Sequence, residues 1–195
     1  AAYGETGSSA SFGSIFTSLN SVAIGGVGGS TIASLRGDAN IEPETSQELE
    51  VGVDIRFIQK IGLELTYYNR NVQDLILSRS LPTSSGFSRE TTNLADLENR
   101  GLEVGININA FDNDRFSWNS GIQFWLNRSE ITRLDVPPFP QPGAGFGLGL
   151  GTFYIQEGQP VTQLAGNING VPTQIGNVEP DFQVSFNNNF TISKN

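Results

Sequence analysis

From Asn99 to Asn127, apolar residues sit at alternate positions. They are Leu102, Val104, Ile106, Ile108 and Ala110, then, after a short polar break, Phe116, Trp118, Ile122, Phe124 and Leu126. Gly101, Glu103, Gly105, Asn107 and Asn109 fill the gaps in the first half, and Ser117, Asn119, Gly121 and Gln123 in the second. The same period runs through Leu49, Val51, Val53, Ile55 and Phe57. It restarts after Gln59-Lys60 at Ile61, Leu63, Leu65 and Tyr67, and returns in Phe182, Val184, Phe186, Phe190 and Ile192. Successive side chains of a strand point to opposite faces, so the pattern predicts β-strands with one apolar and one wet face. A further strand, truncated at its start, is expected over Ala1 to about Thr6.

Several of these runs reach ten residues or more, whereas a strand of a soluble domain usually has about five or six. A strand tilted by ~45° needs about 9–11 residues to cross a bilayer core. The apolar phase carries no charge in any of the five runs, as a lipid-facing surface requires, since a Lys or Arg at the midplane costs roughly 2–4 kcal/mol. The connections alternate in length. Gly7 to about Ser46 is long, Ile58–Lys60 short, about Asn71–Glu98 long, Asp112–Arg115 short, and about Arg128–Pro180 long. An up-and-down meander with its long loops at one end and short turns at the other produces this order, and a Greek-key sandwich gives no reason for it. The expected fold is therefore all-β, an antiparallel up-and-down meander of about six strands forming part of a large transmembrane β-barrel. Long extracellular loops and short periplasmic turns would join the strands.

The turn Asp112-Asn113-Asp114 suits left-handed backbone and local side-chain hydrogen bonds. Phe57, Phe111, Phe116 and Trp118 cluster beside the short turns. They fit an aromatic girdle at a membrane interface, the other reading being ordinary hairpin aromatics over a soluble core.

Composition narrows the chemistry. The 195 residues carry 20 acidic and 11 basic side chains, a net charge of −9, which argues against nucleic acid as a partner. Cys and His are both absent, which removes disulfides, thiolate metal sites and Ser-His-Asp or Cys-His catalysis within this chain. No metal or cofactor is expected, and no catalytic residue is assigned. Glu48 and Glu50 are a carboxylate pair, but nothing places an acid and a nucleophile around a cleft as glycoside hydrolysis needs. The glycine-rich stretches Ala23–Ser30 and Val136–Gly151 lack the GxxxxGK[ST] spacing and the following helix of a phosphate loop. They read as connections that build no core of their own, the first as a mobile loop and the second as a proline stretch ending in glycine hinges.

Taken together, the segments resemble the C-terminal barrel region of SusC/RagA-like TonB-dependent outer-membrane transporters of the Bacteroidetes, over nearly the whole chain. "AAYGETG" resembles the family's strand end before a variable loop. "IEPETSQELEVGVDIRFIQKIGLELTYYNRNVQDLIL" is similar to its most recognisable stretch. There Pro43-Glu44 leads into Glu48 and Glu50, followed by Tyr67-Tyr68-Asn69 and Asp74-Leu75-Ile76. "NLADLENRGLEVGIN" carries Asn93, Asn99, Gly101 and Glu103, and the later landmarks are Gly158, Pro160, Gly166, Gly176, Pro180 and Asp181-Phe182. The segment between Pro160 and Pro180 is shorter than is usual in the family.

The resemblance implies energised uptake of an oligosaccharide or peptide substrate, without a chemical step, in the outer membrane of a Gram-negative, Bacteroidetes-like cell. The implied partners are outer-membrane lipid, a SusD-like surface lipoprotein over the extracellular loops, and TonB acting through a plug. Neither a plug nor a TonB box is present, six strands cannot close, and "TISKN" lacks a terminal aromatic. Residues 1–195 are thus expected to be a partial barrel domain, its plug and remaining strands lying in a longer protein. Glu50, Asp54, Arg56, Glu64 and Glu103 become lumen-side charges, either contacting plug or substrate or simply solvated.

Tyr68 and Trp125 break phase toward the polar side. There a ring can stack on a sugar or a plug residue, or sit beyond the membrane at the strand's outer end. Phe139, Phe146, Phe153 and Tyr154, on the last long loop, are further candidates for substrate or partner contact, with folding back onto neighbouring loops as the alternative. A soluble secreted β-sandwich, used for adhesion or carbohydrate binding, is the rival reading, and a passive porin lacking a plug a third.

Overall fold

The computed structural model describes residues 1–58 and 60–192. Gln59, in the first short turn, and Ser193-Lys194-Asn195, the end of "TISKN", lie outside the described residues. Six strands form the main antiparallel sheet in the spatial order β1 (Ala2–Ser8), β5 (Glu44–Phe57), β6 (Ile61–Ser80), β7 (Arg89–Asp112), β8 (Phe116–Leu134) and β13 (Gln183–Ile192). Each pairs with its predecessor, which is the predicted meander. The sheet is open, with β1 and β13 at its edges.

The long connections are more structured than their composition suggested. The first contains the hairpin β2 (Leu19–Ile24)–β3 (Val27–Ile32) and a short strand β4 (Leu35–Arg36) lying parallel to β7. "AIGGVGGS" is therefore hairpin and not loop, with Gly25 and Gly26 supplying the two positive φ angles (60° and 84°) that a two-residue turn of this hand requires. The second expected loop, 71–98, is mostly strand, because β6 and β7 continue far past the apolar runs and are joined through a 3₁₀ turn at Thr83–Ser85. The third holds a separate four-stranded sheet made of β9 (Phe139–Gly145), β10 (Thr152–Ile155), β11 (Gln163–Ile168) and β12 (Val171–Asn177).

Register aligns the apolar phase of every strand. Val51, Tyr67, Leu102 and Leu126 form one cross-strand row; Val53, Leu65, Val104, Phe124 and Val184 the next; Ile55, Leu63, Ile106, Ile122 and Phe186 a third. No second sheet covers this face among the described residues. Val53 is 51% exposed and Phe186 63%, so the two-layer sandwich is not the fold. From Leu49 to Phe57 the band spans roughly 26 Å of strand, at ~3.3 Å per residue.

The sheet then inverts its polarity. One row above Val51–Leu126, Leu49 keeps the apolar phase on β5, while β6, β7 and β8 change to Asn69, Arg100 and Arg128. The opposite side, polar below, becomes Val72, Leu97 and Ile131. Bulges interrupt the ladder here: Asp74 adopts φ 56° between Val72 and Leu75, and β8 gains a residue between Ile131 and Arg133. The β9–β12 sheet packs onto the inverted apolar patch. Ala95, Ile131 and Ile155 are fully buried there, with Leu75, Leu77, Leu97, Leu134, Phe139 and Val161 around them. The expectation that this connection builds no core is thus corrected, since the buried core of the chain lies beneath it. Alternating strands can form such a patch wherever the phase flips, and glycine-rich hairpins can cover it.

Candidate functional site

The polar face of the main sheet is the largest candidate surface. Its rows run Glu50–Tyr68–Gly101–Asn127, Gly52–Thr66–Glu103–Trp125, Asp54–Glu64–Gly105–Gln123 and Arg56–Gly62–Asn107–Gly121–Asn187. Each row contains at least one glycine, and larger side chains lie across it. A Cβ on Gly121 would come within 2.7 Å of Asn187 Oδ1, and one on Gly52 within 3.2 Å of Thr66 Oγ1. The result is a flat wall on which Glu50, Asp54, Glu64 and Glu103 stand without an ion-pair partner among the described residues. Such a wall offers solvated charge and a close approach for another surface. Among the described residues no group of His, Cys, Asp or Glu could hold a metal ion.

Tyr68 lies on this wall, flat over Gly101, and its hydroxyl donates to Asn127 Oδ1 at 2.9 Å. Asn127 in turn donates to Glu179, whose other carboxylate oxygen accepts from the Ser129 amide (3.3 Å) and hydroxyl (3.2 Å). This chain of bonds fixes the approach to β13. Sequence reasoning missed it; its signal was Glu179 preceding the quoted Pro180-Asp181-Phe182. Trp125 also lies on the wall, beside Glu103, half-buried in a shallow concavity with Thr66 and Gln123.

The four loop aromatics separate. Phe139 packs against the Ala95–Ile131–Ile155 core. Tyr154 is buried, and its hydroxyl donates to the Pro138 carbonyl at 3.1 Å. Phe153 is half-buried, paired in register with Leu164. Phe146 alone projects freely, 84% exposed. The structure does not bring these four into one cluster with Tyr68 and Trp125.

The aromatics beside the short turns do assemble, all on the apolar face. Ring centroids are 5.8 Å apart for Phe111–Phe116, 6.2 Å for Phe116–Phe190 and 5.6 Å for Trp118–Phe190. The Trp118 indole donates to Asn188 Oδ1 at 2.9 Å, satisfying a polar residue that falls in the apolar phase. Phe111 reaches this face because the ladder slips between Asn109 and Phe111, which resets the alternation after Ala110. Phe57 lies on the same face, half-exposed, next to the other turn. Phe190 was not expected in the group, because its register against Trp118 spans a long insertion. The turn itself is held by Asn113 Oδ1, which accepts from the amides of Arg115 (3.0 Å) and Phe116 (2.8 Å).

At the opposite end, dispersed motif residues converge. Glu44 Oε1 accepts from the Ile76 amide at 2.6 Å. Asn93 donates to the carbonyls of Asp74 (2.5 Å) and Glu42 (3.0 Å) and accepts from the Glu42 amide at 2.8 Å. Arg133 grips Asp96 through Nε (2.7 Å) and Nη2 (2.8 Å), reaches Asp74 at 3.0 Å and bonds Asp135. Its guanidinium holds the Asp96 carboxyl below the usual carboxylate range, and Asp96 and Asp135 raise the Arg133 pKa. The Thr92 hydroxyl, then the Asn40 amide, lower Asp38 likewise. Residues 158–160 complete the fastening: the Ile131 amide donates to Gln159 O at 3.0 Å and the Gly158 amide to Ile131 O at 2.8 Å.

This framework has known counterparts. The profile of the family described as TonB dependent receptor-like, beta-barrel matches residues 1–193. The chain belongs to the TonB-dependent receptor-like β-barrel family. TonB-dependent receptor P3 of Formosa agariphila is 29% identical over 202 residues, 92% of this chain and 20% of the relative. TonB-dependent receptor SusC of Bacteroides thetaiotaomicron is 30% identical over 97 residues, 49% of this chain and 10% of the relative. The RagAB peptide transporter shares the fold at a TM-score of 0.81, covering 97% of this chain and 24% of that chain at 17% identity. The chain thus spans about a fifth of the TonB-dependent receptor P3. The six-stranded meander is the part of the TonB-dependent receptor fold present in these residues, and the named relatives are receptors and transporters.

Proposed function

We propose that residues 1–195 form part of the barrel wall of a SusC-like, TonB-dependent importer in the outer membrane. The plug domain and the remaining strands belong to the rest of the polypeptide. The uncovered apolar band, crossing the strands in register and giving way on β6, β7 and β8 to Asn69, Arg100 and Arg128, carries this reading. Its exposed aliphatic and aromatic side chains match hydrocarbon, and the backbone groups of β5–β8 are paired along ladders on both sides as lipid requires.

In this reading the polar wall faces the lumen, and the Phe111–Phe116–Trp118–Phe190 cluster and Phe57 mark the periplasmic interface. The extended hairpins and the β9–β12 sheet stand outside the cell. That sheet packs on the polar-wall side, so it leans over the lumen entrance as a cap. Tyr68 and Trp125 line the passage, and Phe146 and Phe153 face the entrance. A SusD-like surface lipoprotein covers the extracellular loops, and TonB acts through the plug. The substrate is an oligosaccharide or a peptide, moved by conformational gating without a bond made or broken.

The test uses the full-length receptor. Cells carrying it should take up a labelled oligosaccharide or peptide pool, and uptake should stop when TonB is removed. The protein should sediment with outer membranes and come into solution only in detergent. Recovery as a detergent-free soluble protein overturns the membrane reading, and uptake that survives loss of TonB makes the protein a passive pore.

A further inference from the structure

The strap that returns from the β9–β12 sheet to β13, residues 178–181, is fastened to the wall through one carboxylate. The β8–β13 ladder stops at Trp125–Gln183, which leaves the edge of β8 above this pair without β13. There the buried Ser129 donates its amide (3.3 Å) and its hydroxyl (3.2 Å) to one oxygen of Glu179. The other oxygen accepts from the Asn127 side-chain amide, and Tyr68 donates to Asn127 Oδ1 at 2.9 Å. Glu179 thus takes three donors, all from β8, and has no ion-pair partner among the described residues.

The strap's remaining contacts do not pass through Tyr68. The Val178 amide donates to the Thr162 carbonyl at 3.1 Å and the Glu179 amide to Asn177 Oδ1 at 3.2 Å, which ties the strap to the cap's own connections. Arg128 reaches the Pro180 carbonyl at 3.5 Å and Asp181 at 3.1 Å. The side chains of Arg128 and Asp181 are 47% and 91% exposed, and an ion pair so open to solvent adds little.

The relay has a fixed polarity. A carboxylate only accepts, so Asn127 turns its NH2 to Glu179 and its oxygen to Tyr68, and Tyr68 must donate. Tyr68 also lines a concavity of about 520 Å³ on the polar wall, with Glu48, Glu50, Arg70, Asn99 and Glu103 around it. A side chain of the polar wall is therefore two hydrogen bonds from the carboxylate that holds the strap.

We infer that Tyr68, acting through Asn127 and Glu179, is a positioning residue for the cap: its hydroxyl fastens the return strap from the lumen side. That this side is the lumen rests on the barrel reading above; the fastening itself rests on the hydrogen bonds alone. Fastened, the Asn127 amide is held at both ends and presents its donor to Glu179. Unfastened, that amide rotates, and Glu179 and the Ser129 amide exchange each other for water. The cap that leans over the entrance is thereby tied to a ring inside it.

The test is amide hydrogen exchange of the full-length receptor in detergent, followed at Ser129 and in residues 171–182. Tyr68→Phe keeps the ring and removes only the donor. Exchange should rise in both places by about fivefold or more, the lower end of couplings between separate sites, although Tyr68 is bonded to neither. Glu179→Ala should give the same pattern, and the double variant should exceed Glu179→Ala alone by nothing measurable. Wild-type rates at Ser129 and in 171–182 of Tyr68→Phe overturn the inference, as does a rise confined to the surroundings of Gly101, which is the loss of one local bond. Additive effects in the double variant overturn it too. If Glu179→Ala fails to fold, Tyr68→Phe against the wild type decides alone. Sedimentation separates the two readings. A receptor soluble without detergent that keeps the exchange pattern loses the lumen and retains the fastening; a detergent-dependent receptor without the pattern loses the fastening alone.

Discussion

The ring of Tyr68 lies across Gly101 so closely that a Cβ there would sit 2.4 Å from the ring's Cζ and hydroxyl oxygen. Phase alone marks Tyr68 as an aromatic displaced onto the polar wall. The glycine opposite explains how it fits, and the bond to Asn127 explains why it stays. Gly101→Ala should expel the ring, break that bond and lower stability by roughly 1–3 kcal/mol, the usual cost of overpacking. Tyr68→Ser should lose less, and should nearly abolish the effect of a subsequent Gly101→Ala. Thermal unfolding of the four proteins in a double-mutant cycle, on the full-length receptor in detergent, measures the coupling.

Charge placed on the two faces should have unequal consequences. Val53 sits within the exposed apolar band, whereas Gln123 lies on the polar wall, bounded by Gly105 and Ser185 in register. Val53→Arg should reduce the folded, membrane-inserted fraction, at a cost of roughly 2–4 kcal/mol near the midplane. Gln123→Arg should leave insertion close to wild type. Heat-modifiable migration on gels after refolding into vesicles reads both, and equal losses would contradict the assignment of the faces.

The β9–β12 sheet is held by a small core, so it should be separable from the wall. Ile131 is fully buried between the two. Ile131→Ala should cost about 2–5 kcal/mol and raise amide hydrogen exchange in residues 139–177. Exchange in the apolar-band segments of β6 and β7 should not change. Uniform acceleration would show that cap and wall unfold as one unit.

The fastening around Arg133 gives the cap region a defined pH dependence. Arg133 holds the folded Asp96 pKa below its ordinary value of 3.8. A depressed carboxylate pKa stabilises above the unfolded value and loses its contribution as pH falls through the folded one. Protection of residues 89–98 from exchange should therefore be level from neutrality down to about pH 4, then decline below it. Asp96→Asn should remove most of that acid-side decline. A decline unchanged in Asp96→Asn would assign it to another carboxylate, Asp38 first, whose pKa is also lowered.

Much of this molecule follows from side chains taken in order along the chain. Alternation with an uncharged apolar phase specifies strands, their tilt-compatible length and which side is oily, because a strand's pleat sends neighbours to opposite faces whatever lies around it. Alternating connection lengths specify a meander. Those two properties suffice for the six strands; the family resemblance rests instead on the ordered motifs from Pro43-Glu44 to Asp181-Phe182.

What the chain order could not specify is where partners from distant segments meet. The inversion at Val72, Leu97 and Ile131 is written in the sequence, but an inverted phase looks like a broken one until another sheet is seen covering it. The bulges at Asp74 and Ala110–Phe111, the seat of Tyr68 on Gly101, and the adjacency of Arg100 and Arg128 all depend on cross-strand register. Register is a relation between residues tens of positions apart. Only the assembled ladder, satisfying every backbone donor at once, decides it.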